Sequence, residues 1–122
     1  MSIINFHKLG KSFQYAMRGF WYVFKNEQNV KLHVMIGLGV VVMMVYFQVA
    51  LWQAIILFLV ITMVIVLELI NTIFEKMVDI LKPRIHSYAE VIKDVMAATV
   101  LVTSIGAVII GVLIFAPYIF SK

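Results

Sequence analysis

The sequence predicts an all-α integral membrane protein with an N-terminal amphipathic surface helix and three transmembrane helices. Hydrophobic residues make up 64% of the 122 residues and charged residues 13%, whereas soluble domains carry about 25% charged residues. The mean hydropathy is +1.06, and the apolar residues fall into three long runs. Because about 20 apolar residues suffice to cross a bilayer, we expect a single membrane domain over residues 1–122.

The N-terminal segment, residues 4–29, has aromatic and aliphatic side chains at helical spacing, among them Phe6, Leu9, Phe13 and Phe20. Basic residues occupy the other positions of this segment. A helix with one apolar and one basic face is typical of a membrane surface. We therefore predict a surface helix over 4–29.

Three apolar runs follow this segment. The predicted spans are 32–49, 51–74 and 95–119, with a polar connection at 75–94. Small residues in the first and third spans would permit close helix contacts; they are Gly37, Gly39, Ser104 and Gly106.

The distribution of Lys and Arg predicts the orientation. Five lie in the segment up to Lys31, four lie in 75–94, none lies in the loop at 48–53, and Lys122 is at the C-terminus. The positive-inside rule then places the N-terminus and 75–94 in the cytoplasm and the C-terminus outside. The basic residues flank apolar runs, so we expect them to face anionic lipid and not nucleic acid. The absence of cysteine excludes disulfides and thiolate catalysis.

A stripe of polar residues ends the second span. Glu68, Asn71, Glu75 and Asp79 are spaced i, i+3, i+7 and i+11, so they project from one side of a helix. Carboxylates at the edge of a membrane are costly, which indicates a functional site. Glu27 reaches the same interface in the predicted topology.

Several functions fit carboxylates gathered at one interface. Phosphoryl transfer needs magnesium, a cation near the transferring phosphate and a base near the attacking hydroxyl. A buried Glu68 could instead couple protons in a small exporter, or pair with Lys93 in a non-enzymatic scaffold. No phosphate-binding glycine loop is present, so a nucleotide would need a site built from helices.

Two segments resemble the prokaryotic diacylglycerol kinase family. The sequence from Glu68 to Glu75, ELINTIFE, is similar to the family signature E-[IL]-[ILV]-N-[ST]-x-x-E, and the sequence from Asn26 to His33, NEQNVKLH, is similar to N-E-x-N-x-[KR]-x-H. Asp79 and the pair Lys93-Asp94 follow at matching distances. The chain is most similar to the undecaprenol-kinase-like branch.

The resemblance implies a homotrimeric membrane kinase whose active sites are shared between subunits. By the same resemblance, Glu68 is the base, Lys93 faces the transferring phosphate, and Glu27 and Glu75 hold Mg²⁺. The supporting positions around ATP and metal are Tyr15, Asn71, Asp79, His86 and Asp94. The implied acceptor is a membrane lipid alcohol, undecaprenol being favoured over diacylglycerol.

Some positions depart from the family pattern. Ile73 and Phe74 are larger than the residues usual inside the signature, and Met96 and Ala98 replace small residues after Lys93-Asp94. These changes bear on helix packing and on the lipid groove. His33 is interpreted as an interfacial polar residue, since no histidine spacing resembles a zinc site.

Overall fold

A computed structural model of the chain describes residues 3–121. Met1, Ser2 and Lys122, the last of which enters the charge count above, lie outside the described residues. The described chain forms three helices with short connections: α1 (Phe6–Asn26), α2 (Gln28–Phe47) and α3 (Leu51–Phe120). The all-α class is therefore confirmed.

Helix α1 has no buried residue, and its residues are exposed except for the half-buried Val23 and Phe24. The Asn5 side chain caps its start by accepting a hydrogen bond of 3.1 Å from the Lys8 backbone N–H. A single extended residue, Glu27 (φ −114°, ψ 115°), ends α1 and begins α2. The Glu27 side chain is thus fixed at the junction of the two helices.

Helix α3 folds back on itself. A straight helix of its 70 residues would be about 105 Å long, yet the Tyr118 hydroxyl donates a hydrogen bond to the Gln53 side chain at the other end. The reversal lies at Ile85, the one residue inside α3 with non-helical angles (φ −113°, ψ 27°). Pro83 precedes it and weakens the helix there, because proline lacks an N–H and clashes with the preceding turn. Two arms result, 51–84 and 86–120.

The apolar core lies at the end of the molecule that holds the α2–α3 turn. Leu57 on the first arm packs with Ile114 and Phe115 on the second, and Phe47 at the end of α2 packs against them. The Gln53 side chain also accepts a hydrogen bond of 3.0 Å from the Ala50 N–H. The polar stripe begins at Glu68 in the middle of the first arm and runs toward the reversal at Ile85.

Two helices are long and apolar enough to cross a membrane by length and composition. They are α2, with a mean hydropathy of 2.0, and α3, with 2.7 in its most apolar window. Large apolar side chains such as Leu38, Val42, Phe58 and Leu101 are exposed on them. Helices that are apolar on their exposed faces are typical of a lipid environment.

One of the predicted small residues lies at a helix contact within the chain. A Cβ added to Gly37 would lie 2.8 Å from Cγ2 of Ile61 on the first arm, so α2 and α3 approach closely there. Nothing lies within 4 Å of the equivalent position on Gly39 or Gly106. Gly37 therefore fixes the register between α2 and α3.

Candidate active site

Glu68 is buried between α2 and the first arm of α3. It is only 3% exposed, and its Oε2 lies 3.7 Å from Nε2 of His33 on α2. The Asn29 and Asn71 side chains lie beside the same carboxylate. This carboxylate is held among polar groups in an otherwise apolar helix pair.

Asn71 lies one turn beyond Glu68 and is also buried. Its amide oxygen has no hydrogen-bond partner within residues 3–121. A buried polar atom without a partner costs about 1–3 kcal/mol, and such atoms are few in native proteins. The oxygen is therefore free to accept a hydrogen bond from a bound substrate.

Glu75 lies one further turn along the same side of α3. It is half-buried and close enough to interact electrostatically with both Glu68 and Lys93. It connects the buried carboxylate with the charged residues near the reversal.

Asp79 and Lys93 join the two arms close to the reversal at Ile85. Lys93 Nζ lies 2.7 Å from Asp79 Oδ1. The hydrogen bond from Lys93 holds the pKa of the Asp79 carboxyl below its usual value. The same bond raises the pKa of Lys93. Lys93 therefore pairs with Asp79 and not with Glu68, in contrast to the helix-tying pair considered from the sequence.

Glu27 is held by a cation from α3. Lys76 Nζ lies 3.3 Å from Glu27 Oε1. Because Lys76 follows Glu75 directly, this contact places Glu27 and Glu75 at the same end of the molecule.

Three of the predicted site residues are exposed. Tyr15 is exposed on α1, with the guanidinium of Arg18 5.7 Å from its ring centre. His86 is exposed beside the reversal. Asp94 is exposed and forms no ion pair within the described range.

An apolar cavity of about 490 Å³ lies between α2 and the two arms of α3. Its lining is almost wholly apolar, and His33 and Ser104 are the polar residues in it. His33 thus lies both on the cavity wall and against the Glu68 carboxylate. A hydrocarbon chain in this cavity would end near the buried acid.

Sequence reasoning missed three residues of this site: His33, Asn29 and Lys76. Asn29 and His33 are spaced i, i+4, so they occupy one face of α2. That spacing, inside the quoted segment from Asn26 to His33, was the available signal. No local pattern indicated that Lys76 would reach Glu27, since the contact joins residues 49 positions apart.

Glu27 and Glu75 are the type and number of protein ligands that magnesium usually takes. Mg²⁺ is usually held by one or two carboxylates together with waters and substrate phosphates, and Glu27 and Glu75 are two such groups at the same end of the molecule. No cluster of three or more His, Cys, Asp or Glu that could hold a metal occurs in the part of the chain that the structure describes. A metal here would need oxygen ligands from a nucleotide.

Comparison with known proteins identifies the family. Residues 14–115 match the family model of the prokaryotic diacylglycerol kinases. An undecaprenol kinase of Bacillus subtilis is 35% identical over 107 residues, which cover 88% of this chain and 87% of that protein. A diacylglycerol kinase of Synechocystis is 32% identical over 111 residues, which cover 90% of this chain and 63% of that protein. The chain therefore belongs to the prokaryotic diacylglycerol kinase family and is a membrane lipid kinase.

Proposed function

We propose that this lipid kinase uses ATP and Mg²⁺ to phosphorylate the primary hydroxyl of undecaprenol. The observation that carries the proposal is the position of Glu68, a buried carboxylate next to His33 at the wall of an apolar cavity. A lipid alcohol in that cavity would bring its hydroxyl to the carboxylate from the membrane side. A soluble acceptor would gain nothing from an apolar cavity.

In this proposal Glu68 is the general base. It accepts the hydroxyl proton while the lipid oxygen attacks the γ-phosphorus, and the bond from that phosphorus to ADP breaks, with ADP taking the electron pair. General base catalysis of this kind contributes roughly 10²–10⁴-fold to a rate. Lys93, released from Asp79, would face the negative charge of the transferring phosphoryl group.

We assign the polar residues around Glu68 to the nucleotide. Glu27 and Glu75 would hold Mg²⁺, which neutralises the phosphate charge when bound. The Asn71 oxygen, which has no partner within residues 3–121, would accept a hydrogen bond from the substrate. Asp79 would hold Lys93 through their ion pair. The exposed residues Tyr15, His86 and Asp94 would contribute further polar contacts to the nucleotide.

Three crossings of the membrane are proposed, one by α2 and one by each arm of α3, with α1 on the cytoplasmic surface. The apolar exposed faces of α2 and α3 support this arrangement. We further propose a homotrimer with shared sites, because neighbouring subunits would cover polar groups that a single chain leaves open.

Diacylglycerol is the alternative acceptor. It also presents a primary hydroxyl at the interface, and the similarity to the Synechocystis diacylglycerol kinase favours it. We place undecaprenol first because the Bacillus subtilis relative is an undecaprenol kinase similar over nearly the whole of both chains. The family match also favours an enzyme over the small exporter considered from the sequence.

The test is phosphate transfer from labelled ATP by the purified protein in mixed micelles. Undecaprenol and diacylglycerol would be assayed in parallel, with Mg²⁺, with EDTA and with Glu68→Gln. We expect Mg²⁺-dependent product from the wild type and none from Glu68→Gln, with more product from undecaprenol. Product from diacylglycerol alone would move the assignment to the alternative, and Mg²⁺-independent product would exclude the metal.

A further inference from the structure

As the proposed base, Glu68 must lose the proton that it takes from the lipid hydroxyl, and phosphoryl transfer does not remove it. Each turnover leaves one proton on Glu68, and this proton must depart before the next lipid hydroxyl can be deprotonated. The Glu68 side chain is only 4% exposed, and the cavity beside it is apolar. The proton therefore needs a polar neighbour that can accept it.

His33 is the side chain placed to do so. Its Nε2 lies 3.7 Å from Glu68 Oε2, and its side chain is 18% exposed. An imidazole changes its charge near neutral pH, so it can both accept and release a proton under ordinary conditions. The gap of 3.7 Å is slightly longer than a hydrogen bond, which a small side-chain rotation or one bridging water would close.

The surroundings of the pair favour transfer outward. Asn29, one turn closer to the start of α2, is exposed and lies beside the same carboxylate. On α3, Glu75 is close enough to interact electrostatically with Glu68. No lysine or arginine within residues 3–121 forms an ion pair with His33 or Glu68. Among these residues, His33 is the basic side chain within 4 Å of the Glu68 carboxylate.

We propose that His33 positions Glu68 and receives the lipid hydroxyl proton from it after each transfer, releasing that proton to water at the membrane interface. The step breaks the O–H bond on Glu68 and forms an N–H bond at Nε2 of His33. It regenerates the carboxylate and needs no other reactant. This inference rests on the proposed role of Glu68 as base.

The relay predicts a specific pH dependence. His33 must be neutral to accept a proton, so kcat should fall in acidic solution, where an imidazole becomes protonated. In His33→Gln, whose side chain is polar but does not titrate, this acidic limb should disappear. A histidine that only packs against Glu68 would leave the limb in place.

The experiment compares wild type, His33→Ala, His33→Gln and the control His7→Gln, an exposed histidine on α1. We expect kcat to fall roughly 10- to 100-fold in both His33 variants, with KM for ATP changed less than about twofold. Added imidazole should raise kcat of His33→Ala at constant pH and ionic strength, and should leave the wild type and His7→Gln unchanged. Because rescue requires a proton acceptor, a purely structural role would not produce it.

Several outcomes would overturn the relay. One is a wild-type kcat and acidic limb in folded His33→Gln. Another is a loss of kcat in folded His33→Ala that imidazole does not relieve. If His33→Ala fails to fold, the acidic limb of His33→Gln decides. A wild type that phosphorylates neither lipid would overturn the proposed function as well, whereas an active wild type with unaltered His33 variants would overturn the relay alone.

Discussion

Lys76 Nζ lies 3.3 Å from Glu27 Oε1. One of the two carboxylates proposed to bind magnesium is therefore paired with an ammonium group. The Lys76 side chain is more than half exposed, whereas that of Glu27 is mostly covered. An exposed lysine can leave such a pair at small cost. In the proposed mechanism, the pair would hold Glu27 in position before metal and nucleotide bind.

Lys76→Gln should lower the magnesium concentration needed for half-maximal activity, because it removes the cation that competes for Glu27. We expect a shift of roughly two- to fivefold, the range typical of a partly exposed ion pair. The measurement is a Mg²⁺ titration of lipid phosphorylation at fixed ATP. Lys11→Gln removes the same charge from exposed α1 and should leave the titration unchanged. An unchanged or raised requirement in Lys76→Gln would indicate that Lys76 assists nucleotide binding instead.

Glu68→Gln should lower kcat by roughly 10²–10⁴-fold, because the amide cannot accept the hydroxyl proton. KM for ATP should change little, since the base acts mainly in the transition state. Kinetics and ATP binding by the purified variant provide the check, with Glu90→Gln as a control on an exposed acid. Loss of ATP binding in folded Glu68→Gln would argue against a role limited to the base.

Asn71→Leu should separate stability from activity. The Asn71 oxygen has no partner within residues 3–121, whereas the Asn71 side chain also bonds to the buried Glu68 carboxylate. Removing the unsatisfied oxygen and losing that bond should largely offset each other, so the free energy of unfolding should stay within about 1 kcal/mol of wild type. Turnover should nevertheless fall at least about tenfold, because the substrate loses a hydrogen-bond acceptor. Thermal unfolding in detergent and steady-state kinetics test the two effects. Marked destabilisation would show that Asn71 is structural.

Asp79→Asn should loosen the reversal between the two arms of α3. The lowered pKa of Asp79 means that its stabilisation is present above the ordinary pKa, near 3.9, and is lost as the pH falls through the lowered value. The raised pKa of Lys93 means that its stabilisation is present below its ordinary pKa, near 10.4, and is lost as the pH rises through the raised value. The contact should therefore persist throughout the neutral range.

Amide hydrogen exchange over residues 80–92 provides the measurement. At pH 7, Asp79→Asn should exchange roughly two- to fivefold faster there than the wild type. Glu90→Gln removes a carboxylate that interacts electrostatically with Lys93 but forms no ion pair within residues 3–121, so it should exchange like the wild type. Equal exchange in all three proteins would show that the ion pair does not hold the arms together.

Gly37→Ala should destabilise the protein. The added Cβ would lie 2.8 Å from Ile61 Cγ2, and forcing two packed helices apart costs about 1–3 kcal/mol. Gly39→Ala is the matched control, because nothing lies within 4 Å of its Cβ position and alanine favours the helix. Thermal unfolding of both variants in detergent tests the difference. Equal unfolding temperatures would mean that α2 and α3 adjust without cost at this contact.

The sequence by itself determined the helical class, the amphipathic N-terminal helix and the polar stripe on α3. These features follow from local patterns: apolar periodicity makes the amphipathic helix, long apolar runs make α2 and α3, and helical spacing aligns Glu68, Asn71, Glu75 and Asp79. The predicted helix over 4–29 begins and ends a few residues closer in, at Phe6 and Asn26.

The tertiary structure alone decided which groups meet. The reversal at Ile85 brings Lys93 to Asp79, and the close approach at Gly37 sets the register that brings His33 to Glu68. These pairings join residues on different helices or arms, so no periodicity within one helix predicts them. Which polar residues pair depends on how the apolar side chains pack between the helices. A shift of one helix along its axis by one turn, about 5.4 Å, would bring a different set of polar residues together.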